Sequence, residues 1–278
     1  MENKASTTVL SLKCFTEYFY SPALAMWRAE EAQLFAALEL EGPVLDLGCG
    51  DGTFADMIFG KRAHIGVDLS LNNVRKAKRL DTYGSLANAD ARLLPFKNGA
   101  FSAVIGNCVL EHIHGIEQTL QEIARVLRPG GLLVFTVPSE FFSDNLWLTS
   151  VLNHVRMPRM ARRYAAAKNR RLVHVNVLSE ADWAWILTQN GLATVRIERY
   201  MSASTTRMFG LLHDVFDIGV GRYNLANGLK QVAVPLRRLG IDKALASTMA
   251  RALRSHNGNG SEAASGLFIV ARKMGEKE

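Results

Sequence analysis

The sequence predicts an α/β fold, a parallel sheet covered by helices on both faces. Two observations carry this expectation. Between residues 44 and 137, short runs that are almost wholly apolar alternate with stretches whose apolar side chains recur every three or four positions. Strands apolar on both faces need cover on both faces, which the crossover helices of a parallel sheet provide. The second observation is the stretch VLDLGCGDGTF at residues 44–54, where an apolar strand turns through Gly48, Gly50 and Gly52 into a helical pattern. Such a turn brings backbone close to a ligand with no Cβ in the way.

The charge in that turn narrows the ligand. A dinucleotide fingerprint would read G-x-G-x-x-G. Here the third glycine comes one residue early and Asp46 sits inside the strand end. A carboxylate there repels a pyrophosphate and favours a nucleoside carrying an ammonium or sulfonium group.

In chain order, a polar dozen residues precede an aromatic cluster of Phe15, Tyr18, Phe19 and Tyr20. Ser21-Pro22 fits an N-cap followed by proline at the first helical position, and the helical pattern runs through Trp27, Phe35 and Leu38 to Gly42-Pro43. Two readings stand, a packing helix or a lid with Tyr18, Tyr20, Trp27 and Arg28 facing the ligand. Residues 63–68 (AHIGVD) read as the second strand. Asp68 ends it, 18 residues after Gly50, and is placed to accept from both hydroxyls of a ribose. The plainer alternative is a helix cap shared with Ser70. Residues 85–90 form a third strand, whose Asp90 is either an acceptor for an exocyclic amine such as adenine N6 or an ordinary turn aspartate. Phe101–Asn107 is the fourth strand. A helix spaced by Leu120, Ile123, Ala124 and Leu127 follows, stopped by the RPGG at 128–131, and residues 132–137 make an uncharged fifth strand.

Five blocks, VLDLGCGDGTF, IGVDLS, ADARLLPF, FSAVIGNCVLEHI and RVLRPGGLLVFTVPS, resemble in order and spacing the motifs of class I S-adenosylmethionine-dependent methyltransferases. The likeness is greatest to the small-molecule, type 11-like group that shares the pattern LPF…LEH…L(K/R)PGG. It covers about residues 43–138, with a weaker tail at 178–200 and 266–273. The resemblance implies a Rossmann-like, seven-stranded, mostly parallel sheet whose last strand is antiparallel. Its last two strands fall at residues 193–200 and 267–272, after a helix Glu180–Gln189 capped by Ser179. S-adenosylmethionine is the implied cofactor and S-adenosylhomocysteine the product. Asp46 and the backbone of Gly48, Cys49 and Gly50 would hold the amino acid end of the cofactor. Asp68 would take the ribose and Leu69 would pack on the adenine, with Asp90 and Ala91 at the adenine edge. Asn107 and Cys108 would face the methionine moiety and its methyl group, and Tyr20 and Arg28 would close over the cofactor from the lid.

The expected organisation is a helical lid at 1–42, the cofactor core at 43–138, a basic helical insertion capping the substrate at 139–178, and a second helical insertion at 201–265. Residues 179–200 and 266–278 complete the sheet. Within the first insertion, residues 156–171 hold seven Lys/Arg and no acidic residue, with Met157, Met160, Tyr164 and Ala167 forming one apolar stripe. That stretch reads as a solvated basic helix or as a docking surface for phosphate or lipid headgroups. The second insertion carries eight Lys/Arg against four Asp/Glu and ends in a flexible loop at 256–265. A substrate cap, a membrane contact and a dimer face are its three readings.

With 278 residues, 48% of them apolar, the chain can bury the core of one large domain with an appended cap. A net charge of +7 and a pI near 9.4 favour an anionic partner. Cys14, Cys49 and Cys108 have no metal-ligand spacing, the N-terminus lacks a signal-peptide layout, and no stretch is apolar enough to span a bilayer. The expected location is the cytoplasm, with peripheral contact at an anionic membrane left open.

Methyl transfer from a sulfonium is an in-line displacement, helped chiefly by holding nucleophile and methyl about 3 Å apart in a dry site. A hydroxyl acceptor would gain from a base, for which His112, His114 and His174 are candidates. For His112 the plainer reading is packing at a helix start. No metal site is expected. The acceptor reads as a small molecule, lipid-like or phosphorylated. The alternative is RNA or tRNA, with residues 156–171 as a phosphate track; the chain has neither an appended RNA-binding module nor an Asn/Asp-Pro-Pro-Tyr tetrapeptide.

Overall fold

A computed structural model of the chain describes residues 2–60, 64–220, 223–231 and 263–275. Two compact units divide it. One comprises Ala37–Glu140, Asn169–Arg199 and Gly266–Glu278, the other Met1–Ala36, Phe141–Lys168 and Tyr200–Ser265.

The first unit is built on a seven-stranded sheet. Its strands are β1 (Val44–Leu47), β2 (Ile65–Asp68), β3 (Ser85–Asn88), β4 (Phe101–Asn107), β5 (Leu127–Pro138), β6 (Leu192–Tyr200) and, after a two-residue pair in the other unit, β7 (Gly219–Val220) and β8 (Tyr223–Asn224), the long β9 (Gly266–Lys273). The spatial order is β3-β2-β1-β4-β5-β9-β6. Pairing is parallel from β3 through β5, whereas β9 runs antiparallel to β5 from Leu132↔Arg272 to Pro138↔Gly266. This is the Rossmann-like, mostly parallel sheet that the motifs implied.

Central strands are buried along their length, β1 at every residue and β4 at all but Asn107. Leu45, Val104, Phe135 and Ile269 line one core with Leu120 and Ile123 of α5 (Ile116–Val126) and Trp183 and Leu187 of α8 (Glu180–Gln189). Each such side chain contributes roughly 1.5–3 kcal/mol through its removal from water. Helix starts follow the sequence closely. Ser70 caps α4 (Leu71–Leu80), and Ser179 and Asp182 form a reciprocal capping box on α8.

Several boundaries differ from expectation; the third strand, expected to run to Asp90, ends at Asn88. The RPGG segment ends α5 but then joins β5, with a register shift between Phe101↔Leu127 and Ala103↔Leu132 that absorbs its turn. The second strand was expected to start at residue 63, which lies outside the described residues; β2 begins at Ile65.

The second unit is helical, with α1 (Glu2–Glu17), α2 (Pro22–Ala36), α6 (Trp147–His154), most of α7 (Pro158–Arg171), α9 (Ala203–Phe216) and α10 (Leu225–Gln231). The polar opening of the chain is helical, because α1 turns Cys14 and Phe15 into the core, and α2 stops at Ala36, short of Leu38. Trp27 packs its ring on Phe142, Tyr200 and Phe209 at centroid distances of 5.6, 5.7 and 5.3 Å. Beside it the fully buried Glu31 accepts from Trp27 Nε1, Tyr200 Oη and Arg28 Nη1. Residues 232–262, including most of the loop expected at 256–265, lie outside the described residues.

In the apolar stripe read from the sequence at this helix, Met157 and Met160 are 43% and 49% exposed, and the buried residues of α7 are Ala161 and Lys168. Lys168 turns inward because Asp214 of α9 accepts from its Nζ at 2.5 Å, while Tyr164 Oη and Trp147 Nε1 donate to the other oxygen at 2.6 and 2.7 Å. Burial alone would raise the Asp214 carboxyl, but these donors outweigh it and hold the group below the usual carboxylate range. Asp214→Ala leaves a buried ammonium without its counter-charge, with His213 Nδ1 at 3.0 Å as its remaining partner, and should cost about 3 kcal/mol in urea unfolding. Lys168→Met, with a similar stem and no charge, should cost markedly less.

Candidate active site

A cleft of about 320 Å³ opens at the carboxyl ends of β1, β2 and β3. Its walls are Leu47, Gly48, Val67, Asp68, Leu69, Ala89, Asp90, Ala91, Arg92, His112, Ile113 and His114. Strand order reverses between β1 and β4, and ligands of open α/β sheets bind at such a switch point. The cleft thus unites Gly48, Asp68, Leu69, Asp90, Ala91, His112 and His114 from the sequence-derived set. Asp46, Cys49, Gly50, Asn107, Cys108 and His174 lie in the same unit outside its lining, and Tyr20 and Arg28 belong to the helical unit.

The glycine turn is pinned from within. Gly48 has φ +69, and a Cβ there would run into the Val109 side chain. Cys49 N–H donates to Val67 O at 2.9 Å, Gly50 N–H to Asp68 Oδ2 at 2.9 Å, and Gly52 N–H to Cys49 O at 3.1 Å. These are the groups a pyrophosphate would have used, and all three are taken. Close approach survives while an anion nest does not, which fits a cationic nucleoside better than a dinucleotide.

Asp68 is the centre of this edge. Oδ2 takes Gly50 N–H, and Oδ1 takes Ser70 N–H at 2.8 Å and Asn73 Nδ2 at 3.3 Å. A carboxylate has about four acceptor positions, so the ribose role and the internal tether are compatible. Asp46 is 8% exposed and accepts from Tyr83 Oη at 2.5 Å. Burial, and then the Asp46 charge, push the Tyr83 phenol far up, so the phenol is a fixed donor. Burial pushes the Cys49 thiol up as well, with Asp46 adding to it, which makes Cys49 inert. Tyr83, 37 residues from Asp46, left no signal in the sequence.

Asp90 is engaged more fully than expected. Arg92 grips both its oxygens, Nη2 to Oδ2 at 2.6 Å and Nε to Oδ1 at 3.0 Å, and its N–H adds a third bond. These hydrogen bonds hold the Asp90 carboxyl below its ordinary value. The D-x-R spacing of Asp90 and Arg92 is the sequence signal for this pair. Asn107 and Cys108 are fixed by Thr136, whose Oγ1 accepts from Asn107 Nδ2 at 3.0 Å and from Cys108 N–H at 3.1 Å; Cys108 has φ 50.

The histidines sit on a clamp. Residues 173–176 close over the 3-10 turn Leu110–His112, with Val175 and Asn176 N–H both on Glu111 O and Asn176 Nδ2 on Leu110 O and Ile113 O. Val173 O lies 3.0 Å from His112 Nδ1, so that nitrogen carries the hydrogen and Nε2 is the basic one. Val173 itself follows the end of α7 in the left-handed region (φ 56), closing a Schellman turn in which its N–H reaches Arg170 O and His174 N–H reaches Asn169 O. A β-branched residue is rare there. The His174 ring is 5.6 Å from that of His112. Burial, with the His112 charge second, lowers His174 from 6.5 to about 4.

Among the described residues there is no cluster suited to a metal ion and no helix long and apolar enough to cross a membrane. The fold and the cleft have the arrangement of class I, S-adenosylmethionine-dependent methyltransferases. The profile of a family described as "Methyltransferase domain" matches residues 22–197, and the chain belongs to that family. The chain is 34% identical over 99 residues to the malonyl-[acyl-carrier protein] O-methyltransferase of Legionella pneumophila, covering 34% of this chain and 35% of that protein. It is 34% identical over 108 residues to the fatty-acid O-methyltransferase of Mycolicibacterium smegmatis, covering 36% and 39%. The matches therefore span well under two thirds of these relatives. The geranyl diphosphate C-methyltransferase of Streptomyces coelicolor A3(2) shares the fold, with a TM-score of 0.51 and 14% identity over 88% of this chain and 80% of that one.

Because the folded His174 has a depressed pKa, unfolding takes up a proton between pH 6.5 and about 4. Its contribution to stability is complete above pH 6.5 and is lost as pH falls through that window. His174→Asn should flatten the melting-temperature profile over this range. An unchanged profile would mean that His174 is protonated when folded.

Proposed function

We propose that the chain transfers a methyl group to an oxygen of a small, lipid-like acceptor, using the cleft residues for the cofactor and His112 at the acceptor end. The observation that carries this reading is the Val173–His112 hydrogen bond, which leaves Nε2, 3.7 Å from Oε1 of buried Glu111, as the ring nitrogen able to take a proton in a residue that lines the cleft. The lipid-like acceptor rests on the names of the two relatives, whose acceptors are acyl compounds. A phosphorylated acceptor and an RNA substrate have less support, since Arg92, the one Lys or Arg lining the cleft, is paired with Asp90.

When bound, S-adenosylmethionine supplies an electrophilic methyl group on a sulfonium. Asp68 would hold the ribose, Leu69 would cover the adenine, and Ala91 and Asp90 would border it. Asp46, fixed by Tyr83, would supply a negative field for the ammonium group. The electrons of the broken carbon–sulfur bond would stay on the cofactor, so no residue of this chain has to meet a leaving group. A hydroxyl acceptor would give its proton to His112 Nε2; an ionised carboxyl has none to give.

In calorimetry, Asp46→Asn and Asp68→Ala should each weaken S-adenosylmethionine binding tenfold or more, since a hydrogen bond to a charged group contributes about 1.5–3 kcal/mol. Normal binding by both variants would overturn the cofactor assignments. With labelled cofactor and a panel of long-chain fatty acids and hydroxylated lipids, methyl esters or ethers should form. On a hydroxyl acceptor, His112→Asn should lower kcat about a hundredfold with cofactor affinity intact. A rate equal to that of the unaltered protein on such an acceptor would remove His112 from the chemistry.

A further inference from the structure

The start of α7 and the turn before it form a surface for which neither the sheet nor the cleft has a use. Arg159, Arg162, Arg163 and Arg170 recur at helical spacing on the side of α7 opposite buried Ala161 and Lys168, and all four are exposed. Arg159 and Arg163 stand one turn apart, a spacing at which like charges repel. No acidic residue occurs anywhere in α7 to relieve them. At the N-terminal end of this row, Val155, Met157 and Met160 are 54%, 43% and 49% exposed.

The turn itself departs from local preference in favour of charge. Met157 N–H donates to Leu152 O at 2.8 Å and Arg156 N–H to Asn153 O at 3.0 Å, a Schellman end to α6 in which the left-handed position, usually glycine, is Arg156 with φ 59. A row of arginines ending in aliphatic side chains is the layout of a helix lying in a membrane interface. The apolar ends reach the acyl boundary and the guanidinium groups meet headgroup phosphates.

We propose that this face of α6 and α7 docks the protein on an anionic lipid bilayer. Charge complementarity selects an anionic partner for a chain of net charge +7. The exposed aliphatic side chains select a bilayer over a soluble polyanion. Single-stranded RNA would call for stacking platforms, but the one aromatic residue of α7, Tyr164, is turned onto Asp214. The inference does not depend on the acceptor's identity, because it is read by binding and not by turnover.

The test is co-sedimentation of the full chain with vesicles of equal parts phosphatidylglycerol and phosphatidylcholine, and with pure phosphatidylcholine, at low ionic strength. Binding is expected to the first and not to the second. The triple variant Arg159→Gln/Arg162→Gln/Arg163→Gln should keep its melting temperature and cofactor binding while losing about a hundredfold in vesicle affinity. Met157→Ser/Met160→Ser, with every charge retained, should lose roughly tenfold. Unchanged affinity in the arginine variant would place the contact elsewhere and overturn the proposal. Unchanged affinity in the methionine variant would overturn a bilayer as occupant in favour of a soluble polyanion. Failure of the unaltered protein to bind anionic vesicles, while binding an acidic carrier protein or RNA or neither, would also overturn it.

Discussion

The carboxylate of Asp68, at the end of β2, ties the glycine turn to the start of α4. One oxygen holds the glycine turn after β1, and the other holds the first turn of α4 through Ser70 and Asn73. Because the bond to Gly50 uses a backbone N–H, the turn is fixed in shape without a side chain of its own. The cleft wall and the brace behind it are thus one construction. Of the two sequence readings, the helix-start role is present in both residues: Ser70 caps α4 with its side chain, and Asp68 holds Ser70 N–H and Asn73 while also lining the cleft, where the ribose role is proposed.

The same economy recurs across the cleft. Residues 173–176 hold the Leu110–His112 turn through backbone donors and one asparagine, so His112 is oriented by peptide groups with little freedom to drift. Behind the LPF segment, Arg125 reaches Phe96 O and Leu94 O while gripping both oxygens of Glu122, of which Oε2 also takes Leu94 N–H. The LPF segment is therefore tied to α5 from both directions. Preorganisation of this kind suits a displacement reaction whose main requirement is alignment.

What the sequence made legible follows from range. Strands β1, β4 and β5 were readable because burial on both faces leaves them almost wholly apolar, with Asp46 in β1 and Arg128 at the start of β5 as their charged residues, and α8 because Ser179 announces its start. The glycine turn and Asp68 were readable because turn chemistry is local. Tyr83 on Asp46, the Val173 clamp on His112 and the Lys168–Asp214 pair were not, since each joins residues between 37 and 61 positions apart with no periodic trace. Lys168 was misjudged for a related reason. A lysine among arginines reads as solvated, and only the position of Asp214 on another helix turns it inward. The start of α1 was missed because its apolar face begins only near Cys14.

Val173 has a consequence beyond the cleft. A β-branched side chain in a left-handed backbone is a local energy maximum that the surrounding fold has to sustain, and glycine or asparagine would relax it. Yet the carbonyl of that same residue sets which nitrogen of His112 is basic. Glycine or asparagine at 173 would relieve that strain and, carrying the same carbonyl in the same turn, leave the contact with His112 Nδ1 in place. The strain belongs to the side chain and the orientation to the peptide group, so the two can be changed independently.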